Sequence, residues 1–105
     1  MRIIETSIFT KRLKSLLLDD DYRILQNELI HNPVKGKLIK GSGGLRKIRW
    51  TLPGKGKSGG VRIIYFWMQK KETILMLLIY SKTEQSNLSV EQLKILKSLI
   101  EKEFR

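Results

Sequence analysis

The sequence predicts a small α+β domain, with elements in the order β-α-α-β-β-β-β-α around a central antiparallel sheet. Three observations predict it. Apolar residues recur at helical spacing before Pro33 and again after Ser89. Between them lie runs of strand-forming residues separated by glycine-rich turns. One of those runs, Thr73 to Tyr80, is apolar at nearly every position, as expected of a strand buried on both faces. A chain of 105 residues buries roughly two thirds of its unfolded surface, enough for a single domain, residues 1–105, to fold without staples.

Each element has its own signal. Residues 2 to 5 suit a short first strand. Ile8, Phe9, Leu13, Leu16 and Leu17 fall on one helical stripe, ending near Asp19-Asp20-Asp21. Those acids favour the start of a second helix, where they face the positive end of its dipole. Tyr22, Ile24, Leu25, Leu29 and Ile30 are its apolar positions, and Asn32-Pro33 stops it. A short strand is expected over Lys37 to Lys40, a turn at Gly41 to Gly44, and strands over Leu45 to Leu52 and Val61 to Met68. The loop between the last two, Pro53 to Gly60, has four glycines and fits a hairpin connection. After a turn at Gln69 to Glu72 comes the apolar strand. Ser89 caps a last helix to about Phe104, striped by Leu93, Ile95, Leu96, Leu99 and Ile100.

Composition narrows the function. There is no Cys and only one His, and no stretch approaches the roughly 20 apolar residues of a membrane span. A reducing cytoplasm is the expected location, with neither metal nor cofactor nor membrane partner. Net charge is +11, and it is segregated. From Leu29 to Lys71 there is no Asp or Glu but 11 Lys and Arg; the rest of the chain holds 10 cations and 10 acids. One carboxylate-free basic segment is the footprint of a polyanion site.

The segment contains Gly54-Lys55-Gly56-Lys57-Ser58-Gly59, a GxGxxG that invites a nucleotide reading. A dinucleotide fingerprint or a Walker loop needs a helix to begin at its glycines, so that helix amides meet the phosphates. Here Val61-Arg62-Ile63-Ile64-Tyr65-Phe66-Trp67 follows and is strand-forming, and Thr51 stands where a Walker loop needs its first Gly. The loop is instead a lysine-bearing hairpin tip suited to a nucleic-acid backbone.

Side chains alternate along a strand, so Lys47 and Arg49 share one face while Arg46, Ile48 and Trp50 share the other. Arg62, on the partner strand, can reach the same phosphate with its bidentate fork. A lysine among cations has a lowered pKa, which makes Lys47 or Lys57 a candidate base. Trp50, Tyr65, Phe66 and Trp67 are placed for core packing ahead of base stacking. His31, at a helix C-terminus, suits a capping or dipole role.

Three stretches, Gly43-Gly44-Leu45-Arg46-Lys47-Ile48-Arg49, the run Gly54 to Tyr65, and Tyr80-Ser81-Lys82-Thr83-Glu84 with Leu88, together resemble the RelE/HigB toxins of bacterial type II toxin-antitoxin modules, in particular the HigB branch. The resemblance spans nearly the whole chain. It implies a RelE-like, microbial-ribonuclease-like fold and metal-independent cleavage of mRNA in the ribosomal A site, by attack of the 2′-OH on the adjacent phosphate. It places the basic pair on Lys47 and Arg49 and the transition-state arginine on Arg62. A later family arginine falls at Thr83, and the family's last tyrosine falls near Ser89, leaving Lys57, Lys82 and Tyr65 as substitutes for proton transfer, with Tyr65 also a stacking candidate. Lys35, Lys37, Lys40, Arg46, Lys55 and Lys82 are expected to dock message and ribosomal RNA. The implied partners are a cognate antitoxin, the ribosome and, within a toxin-antitoxin complex, operator DNA. The alternative from the residues alone is a non-catalytic RNA- or DNA-binding module. A DNA repressor is disfavoured, because no helix-turn-helix is evident and the last helix matches Glu91, Glu101 and Glu103 against Lys94, Lys97 and Lys102.

Overall fold

The structure, a computed structural model, describes residues 1–51 and 60–103. Within them the chain runs β1 (Arg2–Glu5), α1 (Ser7–Leu16), α2 (Asp19–His31), β2 (Lys37–Leu38), β3 (Leu45–Trp50), β4 (Val61–Met68), β5 (Thr73–Ser81) and α3 (Val90–Glu103), with a 3₁₀ turn at Gln69–Lys71. The order of elements is the expected one. The strands form one five-stranded sheet, β1-β5-β4-β3-β2. Three of its pairings are antiparallel; β1 alone runs parallel, against β5. That exception lets α1 begin where β1 ends: Thr6 N–H donates to the Met76 carbonyl at 3.0 Å, locking the strand-helix corner to β5.

Local chemistry explains the helix ends. Thr6 Oγ1 accepts from Phe9 N–H at 3.1 Å and so caps α1. Asp19, Asp20 and Asp21 occupy the first turn of α2, where the dipole favours them, and His31 Nδ1 donates to the Asn27 carbonyl at 2.7 Å in its last turn. Ser89 and Gln92 form a reciprocal capping box on α3: Ser89 Oγ accepts from Gln92 N–H, and Gln92 Oε1 accepts from Ser89 N–H, both at 3.0 Å.

The sheet is covered on both faces. On one, Ile63, Tyr65, Ile74, Met76 and Ile79 pack with Phe9, Leu25 and Leu29 of α1 and α2. On the other, Leu45, Ile64, Phe66, Leu75, Leu77 and Leu78 pack with Leu96 and Ile100 of α3. This is why β5 reads as a continuous apolar run, each fully buried Leu or Ile contributing about 1.5–3 kcal/mol. Four residues expected on helical apolar stripes, Ile8, Ile24, Ile30 and Ile95, are instead exposed. A helix lying on a flat sheet buries a narrow strip, and Phe9, Leu25 and Leu96 fill it.

One irregularity interrupts the sheet. Between β4 and β5 the register shifts: Tyr65 pairs with Met76 but Ile64 pairs with Leu78, so Leu77 faces no partner. This β-bulge puts Leu77 and Leu78 on the same side and reverses the alternation beyond them. Thr6 Oγ1 donates to the Leu77 carbonyl at 2.8 Å, satisfying a group the ladder leaves over.

Candidate functional site

Arg49 and Arg62 are directly opposed across β3 and β4, and Lys37 and Lys47 are directly opposed across β2 and β3. All four side chains lie on the α3 side of the sheet, because Lys47 pairs with Ile64 and Arg62 is two residues from it. Lys47, Arg49 and Arg62 are therefore brought together as expected. Like charges facing each other across a ladder destabilise it, and this sheet carries two such pairs in a row. Arg62 is also only 8 % exposed, with its own-strand Val61 carbonyl at 3.4 Å as its hydrogen-bond acceptor. Among the described residues the ion pairs are Arg12–Glu84 and Lys35–Glu28, so no carboxylate offsets this cluster.

A hollow of about 310 Å³ opens beside the cluster, lined by Lys35, Gly36, Lys37, Lys47, Ile48 and Arg49. Lys35, Lys37, Lys47 and Arg49 give it a positive rim suited to an anion. Burial, then the charges of Arg49, Arg62 and Lys37, lower the pKa of Lys47 below the ordinary lysine range. Lys47 Nζ donates to Asn87 Oδ1 at 3.3 Å, which fixes its amine over the face.

The lowered pKa has a consequence for stability. Between the folded pKa of Lys47 and the ordinary lysine value of about 10.4, the unfolded chain binds more protons, so this group's contribution to stability rises with pH across that window. Below it, the folded state bears the whole cost of the charge. Lys47→Met is therefore expected to raise Tm at neutral pH by a few degrees, a gain below about 1 kcal/mol because Lys47 is partly solvated. Thermal unfolding at neutral pH and near pH 10 should show the gain shrinking at the higher pH.

The other expected site residues divide. Lys40, in the β2–β3 turn, and Lys82, just past β5, are exposed. Lys35 lies on the rim but is tied to Glu28 at 2.6 Å, which holds that carboxyl below its usual range. Arg46 projects from the opposite face of β3, where its guanidinium donates to the carbonyls of Gly36 at 2.8 Å and Val34 at 3.2 Å. It staples the segment before β2 and is turned away from the cluster. Tyr65 does not meet the expectation of proton transfer or stacking. It is fully buried on the α1/α2 side, and its hydroxyl accepts from Gly36 N–H and donates to the Pro33 carbonyl, each at 2.8 Å. Lys55 and Lys57 lie outside the described residues. Two residues near the cluster have no site role in the sequence reading: Asn87, which accepts from Lys47, and Tyr80, directly opposite Arg62 on β5. Strand alternation alone would put Tyr80 on the α1/α2 side with Ile74 and Met76; the bulge at Leu77 moves it to the side of Arg62.

Comparison with known proteins agrees with this architecture. Among solved structures, the chain is similar to a double arginine-to-alanine mutant of the E. coli toxin RelE in the free state, with a TM-score of 0.58 and 15% identity over 81% of this chain and 86% of that one. It is also similar to a chain of the intact E. coli RelBE toxin-antitoxin complex, with a TM-score of 0.55 and 15% identity over 76% of this chain and 94% of that one. At such identity these likenesses speak for the fold. The family model described as "RelE toxin of RelE / RelB toxin-antitoxin system" matches residues 1–104. With that match covering almost every residue, the chain belongs to the RelE toxin family.

Proposed function

We propose that this chain is the toxin of a bacterial type II toxin-antitoxin module, of the HigB branch, and that it cleaves mRNA in the ribosomal A site and so stops translation. The observation that carries the reading is the carboxylate-free cationic face, on which opposed Arg49 and Arg62 stand beside opposed Lys37 and Lys47. Such a face is costly to a free protein and is neutralised by a phosphodiester.

In the proposed reaction the 2′-oxygen attacks the adjacent phosphorus, its proton passes to Lys47 or Lys57, and the bond to the 5′-oxygen breaks as that oxygen takes up a proton. Arg62 would stabilise the pentacoordinate phosphate, whose added charge is where a preorganised cation is worth most. Arg49 would hold the phosphate in line. Lys47, with its lowered pKa, is a better base than a solvated lysine. Lys37, Lys40, Lys55 and Lys82 would dock RNA, with Lys35 a weaker contributor. A cognate antitoxin would restrain the toxin in the cytoplasm, and operator DNA would be met within their complex.

Inducing the chain in bacteria and mapping message ends tests this reading. New 5′ ends at defined positions within codons are expected. Binding of RNA that weakens steeply with salt but yields no new ends would instead mark a non-catalytic binding module.

A further inference from the structure

Tyr80 is fully buried, and among the described residues its hydroxyl has no hydrogen-bond partner. Native interiors rarely leave such a group unpaired, and one beside a cluster of cations calls for an explanation. Tyr80 pairs with Arg62 across β4 and β5, and the charges of Arg62 and then Arg49 act on its phenol. It stands there because of the bulge. Had the register continued from Met68–Thr73 through Tyr65–Met76 without slipping, Arg62 would face Ile79, and Tyr80 would point to the other side of the sheet. Thr6 pins the bulge through the Leu77 carbonyl, so the placement is held by a tertiary contact as well as by the ladder.

We propose that Tyr80 is a substrate contact, its hydroxyl donating a hydrogen bond to a non-bridging oxygen of the scissile phosphate held by Arg62 and Arg49. This rests on the ribonuclease reading and adds to it the donor that completes the phosphate site. Among the described residues, two buried donors on adjacent strands are left poorly served, Arg62 with the Val61 carbonyl at 3.4 Å and Tyr80 with no acceptor, and one anionic oxygen between them would satisfy both. Burial raises the phenol's pKa against the opposing pull of Arg62 and Arg49, so the hydroxyl keeps its proton at neutral pH and can donate. Arg49 is exposed and is ion-paired to no described carboxylate, so its guanidinium is available to the same phosphate.

The test is single-turnover cleavage on programmed ribosomes by wild type, Tyr80→Phe and Arg62→Ala, with thermal unfolding of each. Tyr80→Phe keeps the ring and removes only the hydroxyl, so its Tm should equal or exceed that of wild type while cleavage slows about 100-fold, the effect of losing one transition-state donor. The second readout uses message with sulfur replacing one non-bridging oxygen at the scissile phosphate. Wild type should be slowed by one stereoisomer far more than by the other, and Tyr80→Phe should lose that discrimination. Because this ratio compares two substrates on one enzyme, it decides even if the variant unfolds more easily. Tyr80→Phe cutting at the wild-type rate, or cutting slowly with the wild-type stereoisomer ratio intact, overturns the contact. If wild type does not cut, or Arg62→Ala cuts as well as wild type, it is the ribonuclease reading that falls.

Discussion

Arg62→Ala is expected to lower message cleavage by about 100- to 1,000-fold and to abolish growth arrest, while Tm stays within a few degrees of wild type and the antitoxin still binds. The expectation comes from what Arg62 does in the free protein, which is little. It sits almost wholly inside the sheet, opposite Arg49, with a distant backbone carbonyl as its acceptor and, among the described residues, no acid paired with it. Burying an unpaired cation is unfavourable, so its removal relieves strain on the fold. The apolar stem of the arginine packs against neighbours, and losing it leaves a gap that acts the other way. The two nearly cancel in stability, whereas in the proposed reaction nothing would replace the guanidinium at the phosphate. Parallel thermal unfolding and cleavage assays check the split. A variant that retains cleavage would remove Arg62 from the reaction; one that loses its Tm by tens of degrees would make Arg62 a structural residue.

Much of this was legible in the residues, for reasons that can be located. The order of elements followed from periodicity, because the helices lie on a sheet that buries only one stripe of each and β5 is covered on both faces. The juxtaposition of Lys47, Arg49 and Arg62 followed from alternation within β3 and the hairpin to β4, where pairing runs without a slip from Leu45–Phe66 to Trp50–Val61. The same arithmetic fails one strand further on. The bulge at Leu77 depends on Thr6, some seventy residues earlier in the chain, and no local pattern around Leu77 announces it. Tyr80 therefore looked like the end of a core strand. Tyr65 failed for the complementary reason: its neighbours in sequence are cations, but its hydroxyl is claimed by Pro33 and Gly36, which reach it only in the folded chain. Arg46 is likewise turned from the cluster by contacts that exist only in the folded chain, to the carbonyls of Val34 and Gly36.

That knot of contacts makes Gly36→Ala the substitution expected to cost the most stability. Gly36 N–H donates to Tyr65 Oη, its carbonyl accepts from Arg46, and it lines the hollow beside Lys47. A Cβ at this position would lie 2.8 Å from Tyr65 Cε1, 2.9 Å from its Oη and 3.1 Å from the Lys47 carbonyl oxygen. Tyr65 cannot yield, because it is enclosed on the α1/α2 side of the sheet. The segment bearing β2 must move instead, and β2 is joined to β3 at only two residue pairs. Overpacking and a buried hydrogen bond broken together cost about 2–4 kcal/mol, which for a chain of this size lowers Tm by roughly 10–20 °C. Activity should also fall at temperatures where the variant is still folded, since Lys37 leaves its place opposite Lys47. Gly41→Ala is the control. Gly41 has open space around its absent Cβ but a φ of +71°, so only backbone strain of about 1–2 kcal/mol is expected there. If Gly36→Ala unfolds no more readily than Gly41→Ala, the close approach of Gly36 to Tyr65 does not hold the rim of the cationic hollow in place.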